Sequence, residues 1–138
     1  MYLNCHSYYS LRYGTFSEVA LLELAVANNI DMLALTDINN TSACMHFIQQ
    51  AKKHHIQPVV GVDFRNGNTQ QFVALAKNNT GFENINRYLS SFLESKTSIP
   101  DKPTYLEDVC IIYPFEKVLE LNLTSFATNE FIGVSIAE

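Results

Sequence analysis

The sequence predicts an α/β fold built on a mostly parallel sheet, and two observations carry this prediction. First, short apolar runs of strand length alternate with longer stretches whose apolar residues recur at helical spacing. Second, the runs at 31–36 and 57–63 are apolar on both faces, which is typical of strands covered by helices on both sides. The resulting strand-helix-strand-helix-strand order favours right-handed crossovers, as in α/β barrels and doubly wound sheets.

Composition fits one folded domain and excludes several classes of protein. The chain has 138 residues, of which 47% are hydrophobic and 17% charged, so it can bury a core. A net charge of −5 supplies no basic field for non-specific binding to nucleic acid. Three widely spaced cysteines, Cys5, Cys44 and Cys110, indicate neither a disulfide framework nor a thiolate zinc site. Because no signal peptide or membrane-length apolar run is visible, we expect a cytoplasmic protein with no membrane partner.

Three strands and two helices are predicted in the first half of the chain. Ser17 is placed to cap the first helix and the Asn28–Asn29 pair to end it. Leu22 and Val26 recur at helical spacing and are expected to face the core, whereas His46 in the second helix is expected to be solvated. In order, the predicted elements are a strand at 1–6, a helix at 18–28, a strand at 31–36, a helix from 41 or 42 to about 55, and a strand at 57–63.

A hairpin and further alternating elements are predicted in the second half. The turn signal within Phe64–Thr69 separates two apolar runs, and the segment 79–81 is interpreted as a chain break. Strand and helix signals still alternate where the sequence stops, so we expect residues 1–138 to be one domain and the N-terminal portion of a longer domain and protein. The predicted elements are a strand at 71–76, a helix at 82–93, a strand at 109–113, a helix at 115–121 and a strand at 130–136.

Polar side chains follow three of the predicted strands. His6 and Ser7 end the first strand, Asp37 follows the second and Asp63 ends the third. The carboxyl ends of parallel strands share one edge, and Asn4 shares a strand face with His6 because side chains alternate. An imidazole and carboxylates at one edge suit a divalent metal that promotes phosphoester hydrolysis. Acids at strand ends also cap helices, so the pattern alone leaves both interpretations open.

Four motifs resemble the PHP domain, the polymerase and histidinol phosphatase family. Their order and spacing agree with the family over about residues 1–93, and the fourth motif is similar to the branch at the N-terminus of bacterial DNA polymerase III alpha subunits. The resemblance implies a distorted, seven-stranded, TIM-like barrel with mostly parallel strands. The motifs are Asn4-Cys-His-Ser7 with Ser10 and Gly14, Ala34-Leu-Thr-Asp37, Pro58-Val-Val-Gly-Val-Asp63, and Leu75-Ala-Lys-Asn-Asn-Thr-Gly-Phe82.

The resemblance also implies a metal centre in active members, and this sequence departs from its ligand pattern. Active members hold zinc, manganese or similar ions and hydrolyse phosphoesters, in some polymerases as a 3′–5′ proofreading exonuclease. The first family histidine is Asn4 here, the acid or histidine before the loop glycine is Tyr13, and the histidine after Thr-Asp is Ile38. The third-strand glutamate is the shorter Asp63, and the later Asp-x-His pair is not found in this sequence.

Two candidate metal ligands remain, His6 and Asp63. Asn4, Ser7 and Asp37 complete the candidate site edge without supplying strong replacement ligands. Transition-metal sites need several histidine or acid ligands in fixed geometry. We therefore expect no cofactor, whereas zinc, manganese or magnesium would be required if the site were active.

Three functions are compatible with these observations. The first is a PHP domain of a replicative polymerase alpha subunit with a degenerate metal site. It would support the remainder of the alpha subunit and dock a separate proofreading exonuclease, while DNA contacts other domains. The second is an active metal-dependent phosphoesterase or 3′–5′ exonuclease that takes further ligands from downstream sequence. The third is a small free-standing binding module that reuses the fold.

Overall fold

The computed structural model describes residues 2–134 as one curled sheet with four helices against it. Its six strands lie in chain order, and three of the five strand pairings are parallel. The predicted α/β class with mostly parallel strands is therefore confirmed. The elements are β1 (Tyr2–Cys5), α1 (Glu18–Ala27), β2 (Met32–Leu35), α2 (Cys44–Lys53), β3 (Gln57–Asn66), β4 (Thr69–Ala76), α3 (Asn79–Ser95), β5 (Val109–Pro114), α4 (Phe115–Glu120) and β6 (Glu130–Gly133).

The first half of the sheet is parallel, and two helices connect its strands. β1 pairs with β2 and β2 with β3 in the same direction. Ser17 caps α1 as predicted, because its Oγ accepts a hydrogen bond of 3.1 Å from the backbone of Ala20. α1 ends before Asn28, also as predicted, whereas α2 begins at Cys44, later than predicted.

The buried face of α1 differs from the predicted one. Leu22 and Ala25 are buried, but Val26 is 48% exposed, so the prediction that Val26 faces the core is wrong. Eight of the ten residues in α1 are aliphatic (EVALLELAVA), and a helix that is apolar all round does not mark its inner face by periodicity. Packing against the sheet and α2 selects the face instead.

The second half of the sheet is built on the predicted hairpin. β3 pairs antiparallel with β4, and the turn between them contains Gly67 at φ +59°, a conformation that glycine adopts without strain. β3 continues to Asn66 because the antiparallel ladder holds it beyond the apolar run. Asp63 therefore lies inside the strand and not at its end, which corrects the prediction.

The third helix begins three residues earlier than predicted. Asn78 is its N-cap, and the side-chain oxygen of Asn78 accepts a 3.0 Å hydrogen bond from the backbone of Gly81. Gly81 does not break the chain, because it lies within the first turn of α3. A Cβ at this position would lie 2.0 Å from the carbonyl oxygen of Asp108, so close packing explains the glycine.

Two apolar clusters hold the sheet to its helices. One packs α1 and α2 on β2 and β3 around Leu22, Leu35 and Phe47, and the other packs α3 on β3, β4 and β5 around Phe64 and Phe72. The three cysteines are free thiols in the described structure. Within residues 2–134, none of the helices is both long and apolar enough to span a membrane. The predicted last strand is present as β6 but ends at Gly133, so Val134 lies outside it, and residues 135 and 136 of that prediction lie outside the described residues.

Candidate functional site

The five residues of the predicted site edge lie together where β1, β2 and β3 meet the loop after β1. Nε2 of His6 lies 2.9 Å from Oδ2 of Asp63. The backbone of Ser7 hydrogen-bonds to Asp37, and Oδ1 of Asn4 accepts a 2.8 Å bond from the Thr36 hydroxyl. Four of the five residues fall into two side-chain networks, one around each aspartate, whereas Asn4 bonds to Thr36.

Asp37 is the centre of a network of neutral donors. Its Oδ1 accepts from the backbone N–H of Ser7 at 2.7 Å and from the hydroxyl of Ser10 at 2.6 Å, while Oδ2 accepts from the hydroxyl of Ser7 at 2.6 Å. Oγ of Ser10 in turn accepts from the backbone N–H of Ile38 at 2.9 Å. Asp37, Ser7 and Ser10 are all buried. Asp37 therefore anchors the loop after β1 to the end of β2.

Asp63 is surrounded instead by an imidazole and a guanidinium group. Its Oδ2 lies 2.9 Å from Nε2 of His6 and accepts bonds of 3.1 and 2.8 Å from Nε and Nη2 of Arg65. Burial by itself would raise the pKa of Asp63, but the hydrogen bonds from His6 and Arg65 outweigh burial and hold that pKa below its ordinary value. Asp63 is thus an ionised carboxylate paired with Arg65.

Arg65 is fixed from two further directions. The side chain of Asn39 donates to the Arg65 carbonyl at 2.8 Å and accepts from its N–H at 3.0 Å. The ring of Tyr13 lies 4.7 Å from the guanidinium carbon, and the Tyr13 hydroxyl donates to Oδ1 of Asn68 at 2.8 Å. The sequence reasoning missed Arg65. Residues two positions apart on a strand share a face, so Arg65 could have been predicted to lie beside Asp63. The predicted strand ended at residue 63, however, and did not include Arg65.

The donor set does not fit the metal centre that the family resemblance implies. The oxygens of Asp37 are engaged by serines, and Asp63 already faces a permanent cation. Tyr13 and Ile38 occupy ligand positions of the motif without supplying suitable donors. In the part of the chain that the structure describes, no group of three or more His, Cys, Asp or Glu side chains is arranged to hold a metal ion.

A third carboxylate, Glu18, is buried between α1 and α2. Its Oε1 lies 2.5 Å from Nδ1 of His46, whose Nε2 lies 2.9 Å from Nε2 of Gln50. The His46 side chain is 51% exposed, so the prediction that His46 is solvated holds only in part, because its Nδ1 contacts the buried Glu18. This contact joins α1 to α2 across 28 positions of sequence, so the spacing within either helix could not predict it.

The chain belongs to the PHP domain family, whose family model matches residues 3–128. This assignment agrees with the resemblance found in the sequence motifs.

Relatives include DNA polymerase III alpha subunits from several bacteria. The chain is 37% identical over 94 residues to that of Ureaplasma parvum, which covers 68% of this chain and 10% of the relative. The Staphylococcus aureus protein is 36% identical over 87 residues, with 61% and 8% covered, and the Borreliella burgdorferi protein is 30% identical over 109 residues, with 68% and 10% covered. The chain is thus homologous to the PHP region of these subunits and spans about a tenth of their length.

Solved structures with related sheets confirm the fold. A protein described as a metal-dependent phosphoesterase from Bifidobacterium adolescentis superposes with a TM-score of 0.53 at 16% identity, covering 68% of this chain and 32% of the other. An amidohydrolase from Chromobacterium violaceum, with bound sulfate and no metal, superposes with a TM-score of 0.54 at 24% identity, covering 68% and 33%. The six-stranded sheet therefore corresponds to part of a TIM-like barrel.

Proposed function

We propose that this chain is the PHP domain of a replicative DNA polymerase III alpha subunit and that its role there is structural rather than catalytic. Residues 1–138 would form the N-terminal portion of a longer domain in a cytoplasmic protein. One observation carries the proposal: the polar side chains at the strand ends bond to one another and are not left to bind metal and substrate.

The two candidate acids, Asp37 and Asp63, are both held by contacts within the protein. Asp37 accepts three hydrogen bonds from Ser7 and Ser10, and losing them would release the loop that it anchors. Asp63 would have to give up Arg65 before a divalent ion came close, because two cations on one carboxylate oxygen repel each other. For these residues to bind metal and take part in catalysis, the hydrogen bonds and the ion pair that hold them in place would have to break.

Contacts with other proteins suit the surface better than contacts with DNA. The loop after β1 exposes Tyr8, Leu11 and Phe16 while Asp37 fixes its base. A rigid loop with exposed apolar side chains loses little conformational entropy on binding a protein. We assign this loop to contacts with the remainder of the alpha subunit and, as the family resemblance implies, with a separate proofreading exonuclease. A net charge of −5 leaves DNA binding to other domains.

A metal-dependent phosphoesterase or 3′–5′ exonuclease is the second candidate function. One observation favours it: among residues 2–134, Oδ1 of Asp63 is a buried acceptor with no hydrogen-bond partner, next to His6. Downstream sequence would have to supply the other ligands, because His6 and Asp63 alone leave most coordination positions open.

Hydrolysis assays separate the two functions. The full-length native protein, which would carry any downstream ligands, is incubated with manganese or zinc and a single-stranded oligonucleotide labelled at its 5′ end, beside its variants His6→Ala, Asp63→Ala and His55→Asn. His55 is an exposed histidine at φ +56°, where asparagine is tolerated, so it is a matched control. We expect the same background release from all four proteins. Metal-stimulated release that His6→Ala and Asp63→Ala abolish would contradict a structural role.

The size of the native protein tests the polymerase assignment. An immunoblot of source cells with an antibody against this segment should give a single band far above 15.6 kDa. A single band at 15.6 kDa would favour a free-standing binding module instead.

A further inference from the structure

We propose that Arg65 is a resident cation that replaces a metal ion at the strand ends. The inference rests on the proposed non-catalytic role and adds what occupies the site. A PHP-type edge gathers carboxylate and imidazole groups that need a positive charge between them. Here the guanidinium group is covalently part of β3 and lies directly against the carboxylate.

Arg65 and Asp63 form a largely buried ion pair through one carboxylate oxygen. Two guanidinium nitrogens reach the same oxygen at 2.8 and 3.1 Å, and His6 adds a third contact at 2.9 Å. The exposed fraction of the Arg65 side chain is 13% and that of Asp63 is zero. A buried carboxylate that loses its counter-charge destabilises the folded state, so removing this cation should lower stability.

Tyr13 takes the position of a family metal ligand, and its ring contacts Arg65. By the family resemblance, an acid or histidine ligand precedes the loop glycine, and here Tyr13 takes that position. A neutral tyrosine is a weak metal ligand, but the face of its ring attracts a guanidinium group. The ring lies 4.7 Å from the guanidinium carbon of Arg65 and packs edge-on to His6 at 6.5 Å between centroids. One substitution thus removes a ligand and provides a surface for the cation.

Asn39 sets where the cation lies. It lies in the loop after β2 and makes two hydrogen bonds to the backbone of Arg65, which bind β3 to the end of β2. Asn39 has φ +48°, a left-handed conformation that asparagine tolerates better than most residues. Asp63 and the Tyr13 ring therefore contact the guanidinium group itself, while Asn39 fixes the backbone that carries it. Such a group balances the carboxylate without depending on the supply of divalent ions.

Thermal unfolding of an Arg65→Met variant tests the proposal. Methionine keeps an unbranched apolar chain of similar reach but carries no charge. We expect Tm to fall by about 5 to 10 °C, because the buried carboxylate then lacks a cation. Manganese or zinc should recover part of this loss in Arg65→Met and leave the Tm of the wild type unchanged. The matched control is Arg87→Met, which removes an exposed ion pair to Glu83 and should lower Tm by no more than about 2 °C.

A second variant shows whether a loss of stability in Arg65→Met comes from the unpaired carboxylate or from a general failure to fold. The double variant Asp63→Asn with Arg65→Met removes both charges and should regain at least half of the Tm lost by Arg65→Met. A double variant as unstable as the single one would overturn the proposal. A Tm of Arg65→Met within about 1 °C of the wild type, or an equal response of both proteins to metal, would also overturn it.

Equilibrium dialysis of the wild type against zinc and manganese distinguishes failure of this inference from failure of the proposed function. Stoichiometric metal in the wild type would overturn both. A wild type that binds no metal, beside an unaffected Arg65→Met variant, would overturn the resident cation alone.

Discussion

Asp37 and Asp63 are buried carboxylates at the same edge of the sheet, and they differ in every partner they have. Asp37 is 1% exposed and is bonded by neutral donors from one short loop. Asp63 is 0% exposed and is bonded by His6 from the loop after β1 and by Arg65 from β3. Asp37 determines the shape of a loop, whereas Asp63 determines the charge balance of the strand ends. Burial alone would not have separated these roles, but the donors do.

Removing the carboxylate of Asp37 should have the largest effect. In Asp37→Ala the N–H and hydroxyl of Ser7 and the hydroxyl of Ser10 lose their acceptor inside the protein. We expect the free energy of unfolding to fall by about 3 kcal/mol or more, since unsatisfied buried donors are costly. Urea denaturation measures the loss. Asp31→Asn, at an exposed aspartate, is the control, and a loss no larger than in this control would show that the network does not stabilise the fold.

Gly14→Ala tests the same loop without touching its carboxylate. A Cβ at this position would lie 1.8 Å from the carbonyl oxygen of Ser7, so backbone must move. We expect a loss of about 2 kcal/mol in urea denaturation. Gly67→Asn, in an open turn at φ +59°, is the matched glycine control and should cost less. Equal losses would mean that the loop accommodates a side chain freely.

Asp63→Asn should cost less than Asp37→Ala, and this ranking is the sharpest test of the comparison. Asparagine keeps one carbonyl acceptor for His6 or Arg65, and the partly exposed guanidinium group can also bond to water. We expect a loss of about 1 to 2 kcal/mol of unfolding free energy. A loss exceeding that of Asp37→Ala in the same urea series would reverse the assigned roles.

Glu130 on β6 should show the smallest effect and a dependence on pH. Burial would raise the pKa of Glu130, but hydrogen bonds from the Ala127 backbone, Lys102 and Tyr113 hold it below the ordinary value. A carboxylate with a depressed pKa stabilises the fold above its unfolded pKa and loses that effect as pH falls through the folded pKa. The advantage of wild type over Glu130→Gln, below about 1 kcal/mol, should therefore disappear between about pH 5 and pH 3. Urea titrations at several pH values measure it, and an advantage independent of pH would contradict this assignment.

Much of the fold followed from local sequence. Apolar runs located β2 and β5, Ser17 marked the start of α1, and the turn signal before Thr69 predicted the hairpin. Errors arose where long-range contacts overrode local signals. β3 runs past its apolar segment because β4 pairs with it, and Gly81 lies within α3 because Asn78 caps the helix.

The sequence by itself determined the α/β class, the family resemblance and the five residues at the site edge, because strand periodicity and motif spacing are written along the chain. Only the tertiary structure decided which of these residues bond to one another. His6 meets Asp63 across 57 positions of sequence, Arg65 meets the ring of Tyr13 from a comparably distant part of the chain, and Glu18 meets His46 across 28 positions. Such pairs depend on how strands and helices pack, and packing is a property of the whole fold and not of any local pattern.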